Sequence, residues 1–314
     1  MRRKLAAAAA LAMVTALMLA GPVGAVRFGQ ADSGEHPYVG ELLFYVPDAI
    51  DSRFDDPGGW FSCSGTLLSP TVIVTAGHCT FGVGLNGVTT THGGRDTTTA
   101  AGGDGGNDVW IDFSEAAHFT GFPASSNYGR DENHQRYLDR AAWLNANSNW
   151  HRGTAHPHPL YNDNQFFAHD AGIVVLDQPV SMAKYGALPA LNWLNQYPAS
   201  AHSSHSFEVV GFGVTKALPF GTFGGDTRLK GLLILFTLNA QPRLSYAVFS
   251  NTPSARATGG TCFGDSGGPI FDSTSSNVVV AVNSWVRSST CSGQSGGYRL
   301  DQGDDLSFVG SYLH

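Results

Sequence analysis

At residues 264–269 the chain reads Gly-Asp-Ser-Gly-Gly-Pro, which places Ser266 between a carboxylate and two glycines. A turn of this composition can expose both a hydroxyl and backbone N–H groups. A serine hydroxyl is a weak nucleophile unless a base assists it, so a histidine and an orienting aspartate are needed elsewhere. Thr-Ala-Gly-His-Cys at 75–79 supplies His78, and His-Asp-Ala-Gly-Ile-Val-Val-Leu at 169–176 supplies Asp170. The three motifs together predict a serine nucleophile with its base.

In this order, His before Asp before Ser, the motifs resemble those of the trypsin/chymotrypsin-type serine proteases. The chain looks like a secreted, bacterial-looking member, and the resemblance covers nearly all of it after the first 25 residues. It implies an all-β fold of two six-stranded antiparallel β-barrels with the active site between them. It also implies a serine-type endopeptidase without a cofactor.

The resemblance assigns a role to each motif residue. Ser266 would be the nucleophile, His78 the general base and then acid, and Asp170 the group that orients the imidazole. The backbone N–H groups of Gly264 and Ser266 would form the oxyanion hole. Ser284 matches the serine that supports the aspartate in the family.

The first 25 residues have the composition of a secretory signal peptide. Met-Arg-Arg-Lys is followed by an apolar run, Leu5–Ala20, and by small residues that end at Ala25. An uncleaved membrane anchor is the alternative, although the run is near the lower length limit for a span. Removing 1–25 leaves 15 basic and 25 acidic residues, a net charge of −10 with His neutral. This charge argues against nucleic acid or an anionic membrane as the main partner.

Thirty-nine glycines and many short Val, Ile, Phe and Tyr runs favour an all-β chain. We expect an N-terminal barrel at 26–188 and a C-terminal barrel at 189–314. His78 and Asp170 are 92 positions apart, more than a compact family member needs, and we assign the surplus to an insertion at about 82–157. Residues 131–145 have helical spacing within it. The insertion is either a surface loop or a lid over the cleft.

Four cysteines in an exported chain predict disulfides rather than a metal site. The count alone leaves three connectivities open. The resemblance selects Cys63 with Cys79 and Cys262 with Cys291.

A histidine-rich run, His151, His156, His158 and His169, raises the question of a metal. Only His156 and His158 are close in sequence, and no Cys or Glu completes a ligand set. We therefore predict no metal site. The acidic residues of the insertion also lack the spacing of a calcium loop.

Cleavage after Ala25 would make Val26 the N-terminus. The resemblance implies that its α-amino group inserts into the protein and pairs with Asp265, whose buried carboxylate needs a cation. The alternative is a frayed N-terminus or a longer propeptide.

The P1 preference is predicted from two residues that the specificity pocket lacks, an acidic residue and a glycine. Gly260 falls where trypsin-like enzymes place the carboxylate that binds Arg or Lys, and Val286 replaces the glycine after Ser-Trp. A small or medium uncharged P1 residue, such as Ala, Val or Leu, is expected. Asn283 leaves a polar P1 residue open. The predicted pocket residues are Gly260, Thr261, Asn283, Ser284, Val286 and Gly296.

Two other functions remain open from the sequence. A noncatalytic homologue would use the same fold as an extracellular binding or adhesion surface, and an esterase would use the same catalytic groups on other substrates. We expect protein or peptide substrates, protein inhibitors, a monomer, and neither nucleic acid nor a stable membrane anchor.

Overall fold

A computed structural model describes residues 26–84, 106–162, 165, 168–241, 244–252, 254–255, 257–273 and 277–313. The predicted signal peptide lies outside the described residues, and so do residues 85–105 of the predicted insertion. Within the described ranges, no helix is long and apolar enough to cross a membrane.

Strands dominate the described part of the chain, and every pairing between them is antiparallel. The predicted all-β class is confirmed. The strands are β1 (Gln30–Ala31), β2 (Val39–Val46), β3 (Gly59–Leu67), β4 (Val72–Thr75), β5 (Val109–Asp112), β6 (Trp150–Pro157), β7 (Gly172–Leu176), β8 (Ser206–Gly211), β9 (Lys216–Leu218), β10 (Gly221–Phe223), β11 (Leu229–Gln241), β12 (Leu244–Ser250), β13 (Pro269–Asp272), β14 (Val279–Val286) and β15 (Gln294–Arg299). The α-helices are α1 (Asn133–Ala146) and α2 (Gly303–Gly310).

The first barrel closes in the order β2, β3, β4, β7, β6, β5. β2 is buried along its whole length, because its two faces meet different partners. Leu42 and Phe44 belong to the main core, whereas Leu43 packs with Trp110 of β5 and Leu144 of α1. Neighbouring residues of a strand point to opposite faces, so the continuous apolar run of β2 reflects two packed surfaces.

The second barrel closes through one long strand. β11 has 13 residues; its first half, Leu229–Ile234, pairs with β8, and the half from Leu235 pairs with β12. A register shift between Leu235 and Thr237 separates the two pairings, as expected where a bulge bends a strand. The ring β8, β11, β12, β15, β14, β13 is thereby complete, and β1 adds to the edge of β11. Two six-stranded barrels are confirmed.

The predicted insertion at 82–157 contains β5 and β6, which are strands of the first barrel. The described residues added to that barrel are therefore those between β5 and β6, including α1. Leu144 of α1 is buried against Trp110 and Trp150. The helix is also fixed at its start, because the Asn133 amide donates to three carbonyls of residues 56–58 at 2.9–3.1 Å.

Both expected disulfides are present, Cys63–Cys79 and Cys262–Cys291. The first closes a loop across a sequence separation of 16, which in the chain-entropy model stabilises the fold by about 3 kcal/mol. Replacing Cys63 and Cys79 together by Ala is expected to lower the free energy of unfolding by that amount. Urea denaturation would measure it, and an unchanged free energy would contradict the expectation.

Candidate active site

His78 lies in a 3-10 turn, Gly77–Cys79, directly after β4. Cys79 ties this turn to Cys63 of β3. The turn also packs closely, because a Cβ on its glycine would lie 2.8 Å from the ring of Tyr161. Together these contacts fix the backbone that carries the imidazole.

Asp170 is fully buried just before β7. Its Oδ1 accepts the backbone N–H of His78 at 2.8 Å, and Nδ1 of the His78 ring lies 3.1 Å from Oδ1 and 3.0 Å from Oδ2. The Ser284 hydroxyl donates to Oδ2 at 2.5 Å. A carboxylate with these donors holds the proton of the imidazole on Nδ1, so the lone pair of the ring is on Nε2, the atom that can act as a base.

Tyr246 of β12 extends this network and was not predicted from the sequence. Its hydroxyl lies 3.3 Å from Oγ of Ser284. Ser284 has a single hydroxyl proton, and Asp170 receives it, so Tyr246 donates to Ser284. Burial, followed by the charge of Asp170, raises the pKa of Tyr246 far above its usual value, which keeps the donor protonated. Residues 244–250 were not predicted as a strand, so no signal drew attention to this tyrosine.

Ser266 lies on a loop whose backbone conformation requires glycine at two positions. Gly264 has φ +94° and Gly267 has φ +74°, a region that residues with a Cβ rarely adopt. A Cβ on Gly264 would also lie 2.9 Å from Cα of Gly213. Ser64 of the first barrel holds this loop, because its N–H donates to the Ser266 carbonyl at 2.7 Å and its hydroxyl to the Gly264 carbonyl at 3.0 Å.

Asp265 points into the protein and is fully buried. Gly213 N–H donates to its Oδ1 at 2.9 Å, and Cys262 N–H donates to its Oδ2 at 2.8 Å. Burial nevertheless raises the pKa of Asp265 to about 7, because these two hydrogen bonds offset only part of the desolvation. No cationic side chain among the described residues forms an ion pair with Asp265.

Val26 is also buried, in a core cluster of the second barrel. The carbonyl of its neighbour Arg27 accepts the Gly260 N–H at 2.9 Å. Val26 and Arg27 therefore pack beside the predicted pocket.

Two cavities of about 250 Å³ flank Ser266. The first, here called the S1 cavity, is lined by Thr261, Cys262, Phe263, Ser266, Asn283, Ser284, Trp285 and Val286. The second, here called the apolar cavity, is lined by Phe44, Val46, Ala49, Phe61, Ser62, Cys63, His78, Phe81 and Ser266. His78 and Ser266 thus share a wall of the apolar cavity.

The S1 cavity contains four of the predicted pocket residues, namely Thr261, Asn283, Ser284 and Val286. Gly260 and Gly296 do not line it. A Cβ on Gly296 would lie 2.2 Å from the indole of Trp285, so this glycine makes room for the ring that forms the wall. Phe263, Cys262 and Trp285 line the cavity but were not predicted to do so.

Residues of the insertion are absent from the described walls of both cavities. The residues between β5 and β6 pack on the first barrel instead, through Leu144 and its neighbours. This described part therefore covers a face of the first barrel.

Comparisons with known proteins agree with this architecture. A family model described as Trypsin matches residues 139–299. Among solved structures, HL collagenase is similar with a TM-score of 0.56 and 15% identity, over 92% of this chain and 98% of that one. An inactivated protease paralogue of the scabies mite has a TM-score of 0.54 and 13% identity, over 92% and 97% of the two chains. No curated protein sequence matches the chain. Because the family model covers more than half of its residues, the chain belongs to the trypsin family.

Proposed function

We propose that this protein is a secreted serine endopeptidase that cleaves peptide bonds through an acyl-enzyme on Ser266. One observation carries the proposal: Asp170 engages His78 through both the ring Nδ1 and the backbone N–H, while Ser284 donates to the same carboxylate. Any buried aspartate needs hydrogen-bond partners. Acyl transfer requires more, namely a general base that is held in a defined tautomer beside a serine.

In this proposal Nε2 of His78 takes the proton of Ser266 as its Oγ attacks the carbonyl carbon of the substrate. The carbonyl oxygen becomes an oxyanion, which the N–H groups of Gly264 and Ser266 stabilise. His78 then gives its proton to the leaving amine. Water attacks the ester on Ser266 by the same route and releases the acid, so the enzyme returns to its starting state.

The main alternative is a noncatalytic binding protein. Its support is the fold similarity to an inactivated paralogue, which means that the fold alone does not establish activity. A fluorophosphonate probe separates the two functions, because only an activated serine reacts with it. We expect labelling at Ser266 that is abolished in Ser266→Ala. An unlabelled mature protein that leaves peptides intact would support the binding protein, and paired amide and ester substrates would identify an esterase.

The S1 cavity supports a small or medium uncharged P1 residue. Its lining residues carry no charge, and Val286 occupies its wall. A buried guanidinium without a partner costs about 3–5 kcal/mol, so kcat/KM for an Ala-P1 peptide is expected to exceed that for Arg-P1 by about 100-fold or more. Val286→Gly should raise the rate for Phe-P1 relative to Ala-P1 in the same enzyme. Faster cleavage after Arg than after Ala would contradict the proposal.

Asn283 is a polar feature of this cavity. It is 3% exposed, and its Oδ1 is buried without a hydrogen-bond partner among the described residues. A P1 side chain with a hydroxyl or amide could satisfy this oxygen, which supports the polar alternative for P1. Ser-P1 and Gln-P1 peptides therefore belong in the substrate set.

Activation by the new N-terminus is the remaining part of the proposal. Asp265 has a raised pKa while Val26 is an internal residue, so ionising it costs stability as the pH rises from about 4 to 7. A free α-amino group on Val26 would supply the missing cation. Because an unpaired buried charge costs about 3–5 kcal/mol, a chain extended by one residue before Val26 is expected to be about 100-fold less active at pH 8.

Asp265→Asn provides the matched control for this prediction. Without the charge there is nothing for the amine to neutralise, so the extended and unextended Asn variants should have equal activity. N-terminal sequencing of the secreted, active protein should begin at Val26. Full activity of an extended wild-type chain would mean that Asp265 has another partner.

A further inference from the structure

Three side chains that are far apart in sequence meet beside the candidate active site. His158 follows β6, His169 precedes β7, and Asp304 lies in the first turn of α2. The two imidazole rings stack with centroids 4.9 Å apart and planes 11° apart. Nδ1 of His169 lies 3.4 Å from Oδ2 of Asp304. One nitrogen or oxygen from each residue lies within 4.8 Å of the other two.

These separations are close to those of a tetrahedral metal site. Zn²⁺ binds nitrogen and oxygen ligands at about 2.0–2.2 Å, which places neighbouring ligand atoms about 3.3 Å apart. The contact between His169 and Asp304 already has that length. The remaining ligand atoms need to approach by at most about 1.5 Å, which side-chain rotation can supply.

We propose that His158, His169 and Asp304 form a binding site for a transition-metal dication of the zinc type. Two imidazoles and one carboxylate suit Zn²⁺, Co²⁺ or Ni²⁺, whereas Ca²⁺ and Mg²⁺ prefer oxygen ligands throughout. The site differs in every ligand from the His78, Asp170 and Ser266 group. The sequence predicted no metal site, since no residue near the two histidines in the chain completes the ligand set and the third ligand comes from residue 304.

Burial and access are compatible with such a site. His158 is 4% and His169 8% exposed, whereas the Asp304 side chain is 42% exposed. A cavity of about 300 Å³ adjoins His169 and is lined by Leu160, Asn162, Gln165, Ala168 and His169. An ion can therefore enter from solvent, and water can fill the fourth position.

The backbone conformation of His169 also bears on the site. His169 has φ +54°, a left-handed conformation that a residue with a Cβ rarely adopts. Strain of this kind is found where a side chain must be held in a particular place. In this conformation the His169 ring stacks on His158 and lies against Asp304.

Metal binding has one identifiable cost. Leu160 N–H donates to Nδ1 of His158 at 3.2 Å. When His158 is a ligand, its Nδ1 carries either the metal or the ring proton, so this hydrogen bond is lost. It is a single, long hydrogen bond, and a coordinate bond to the metal replaces it.

The test measures binding rather than peptidase activity, so it is independent of the proposed function. The mature chain with Ser266→Ala avoids self-cleavage and is titrated with Co²⁺ and with Zn²⁺ at pH 7.5. We expect one ion per chain, a visible Co²⁺ spectrum of tetrahedral type, and displacement of Co²⁺ by Zn²⁺. X-ray absorption of the zinc form should show two imidazole ligands.

Variants assign the ligands. Mutation of a residue that only contacts a metal ligand already changes metal affinity by about 10–100-fold. His158→Ala and His169→Asn remove ligands, so each should weaken binding by about 100-fold or more. Asp304 is half-exposed, so Asp304→Asn should weaken binding by about 10-fold. Asn is chosen at 169 because it tolerates a positive φ. Circular dichroism of each variant checks the fold.

Two control variants locate the ion. His118→Ala breaks a two-residue pair, Nδ1 of His118 with Asp112 at 2.9 Å, and should leave affinity unchanged. His78→Ala should also leave it unchanged. The proposal is overturned if no ion binds at millimolar concentration, or if binding is lost in His78→Ala and kept in the folded His169→Asn and Asp304→Asn variants.

Discussion

Ser266→Ala and His78→Ala are each expected to lower kcat by about 10⁶-fold, and the double variant should lose little more. The reason is that the two side chains act as one unit. Without His78 the Ser266 hydroxyl keeps its proton, and without Ser266 the base has nothing to activate. Single-turnover and steady-state kinetics with a P1-matched peptide would measure both losses.

A second serine on the cleft provides the control. Ser62 lines the apolar cavity beside Ser266 and is exposed, so Ser62→Ala should change kcat only a few-fold. Residual activity near the wild-type level in Ser266→Ala would remove Ser266 from the mechanism. Losses that multiply in the double variant would show that the two residues act separately.

Asp170→Asn is expected to lower kcat by about 10⁴-fold, the loss that this change causes in triads of the Ser-His-Asp type. The shape of the side chain is kept, but one carboxylate oxygen becomes an NH₂ group. In the wild-type protein, Asp170 accepts hydrogen bonds from the His78 ring, the His78 backbone and Ser284. The single amide oxygen of Asn cannot accept all of them. The imidazole then loses its preference for the Nδ1 proton, so Nε2 is no longer available as a base.

An exposed carboxylate near the same strand is the matched control. Asp177 follows β7 and is exposed, so Asp177→Asn should leave kcat within a factor of about two, as for surface changes in general. Ser284→Ala should cost less than Asp170→Asn, because it removes one of three donors and keeps the tautomer. Equal rates for Asp170→Asn and wild type would exclude Asp170 from the catalytic group.

The extent of the insertion shows where sequence patterns failed. β6 was not predicted as a strand, although it alternates in burial, with Trp150, Gly153, Ala155 and Pro157 buried. Glycine, alanine and proline carry little apolar signal, so the alternation was not visible in the sequence. Their burial follows from pairing with β5 and β7 in the closed barrel.

Helix α1 shows that helical spacing can predict a helix without predicting which of its faces is buried. Its helical spacing was read correctly over 131–145, and the helix spans Asn133–Ala146. The buried face differs from the apolar one, because Arg136 is buried while Leu138 is 45% exposed. Arg136 pairs with Asp51 at 3.2 Å and lies 4.1 Å over the ring of Phe54. Asp51 and Phe54 in the β2–β3 connection determine which face of α1 is buried. Helical periodicity holds no information about these partners.

By itself the sequence determined the three motifs around His78, Asp170 and Ser266, because a glycine-framed turn and an apolar strand are local properties. The two-barrel fold was implied by the resemblance of these motifs to a known family. Only the tertiary structure decided what surrounds those motifs. It brought Tyr246 behind Ser284, buried Asp265 with no cationic side chain of the described residues paired to it, formed the walls of the S1 cavity, and placed Asp304 beside two histidines of another segment. Burial and hydrogen-bond partners depend on which distant strands pack together, and the pKa and reactivity of each group depend on those neighbours.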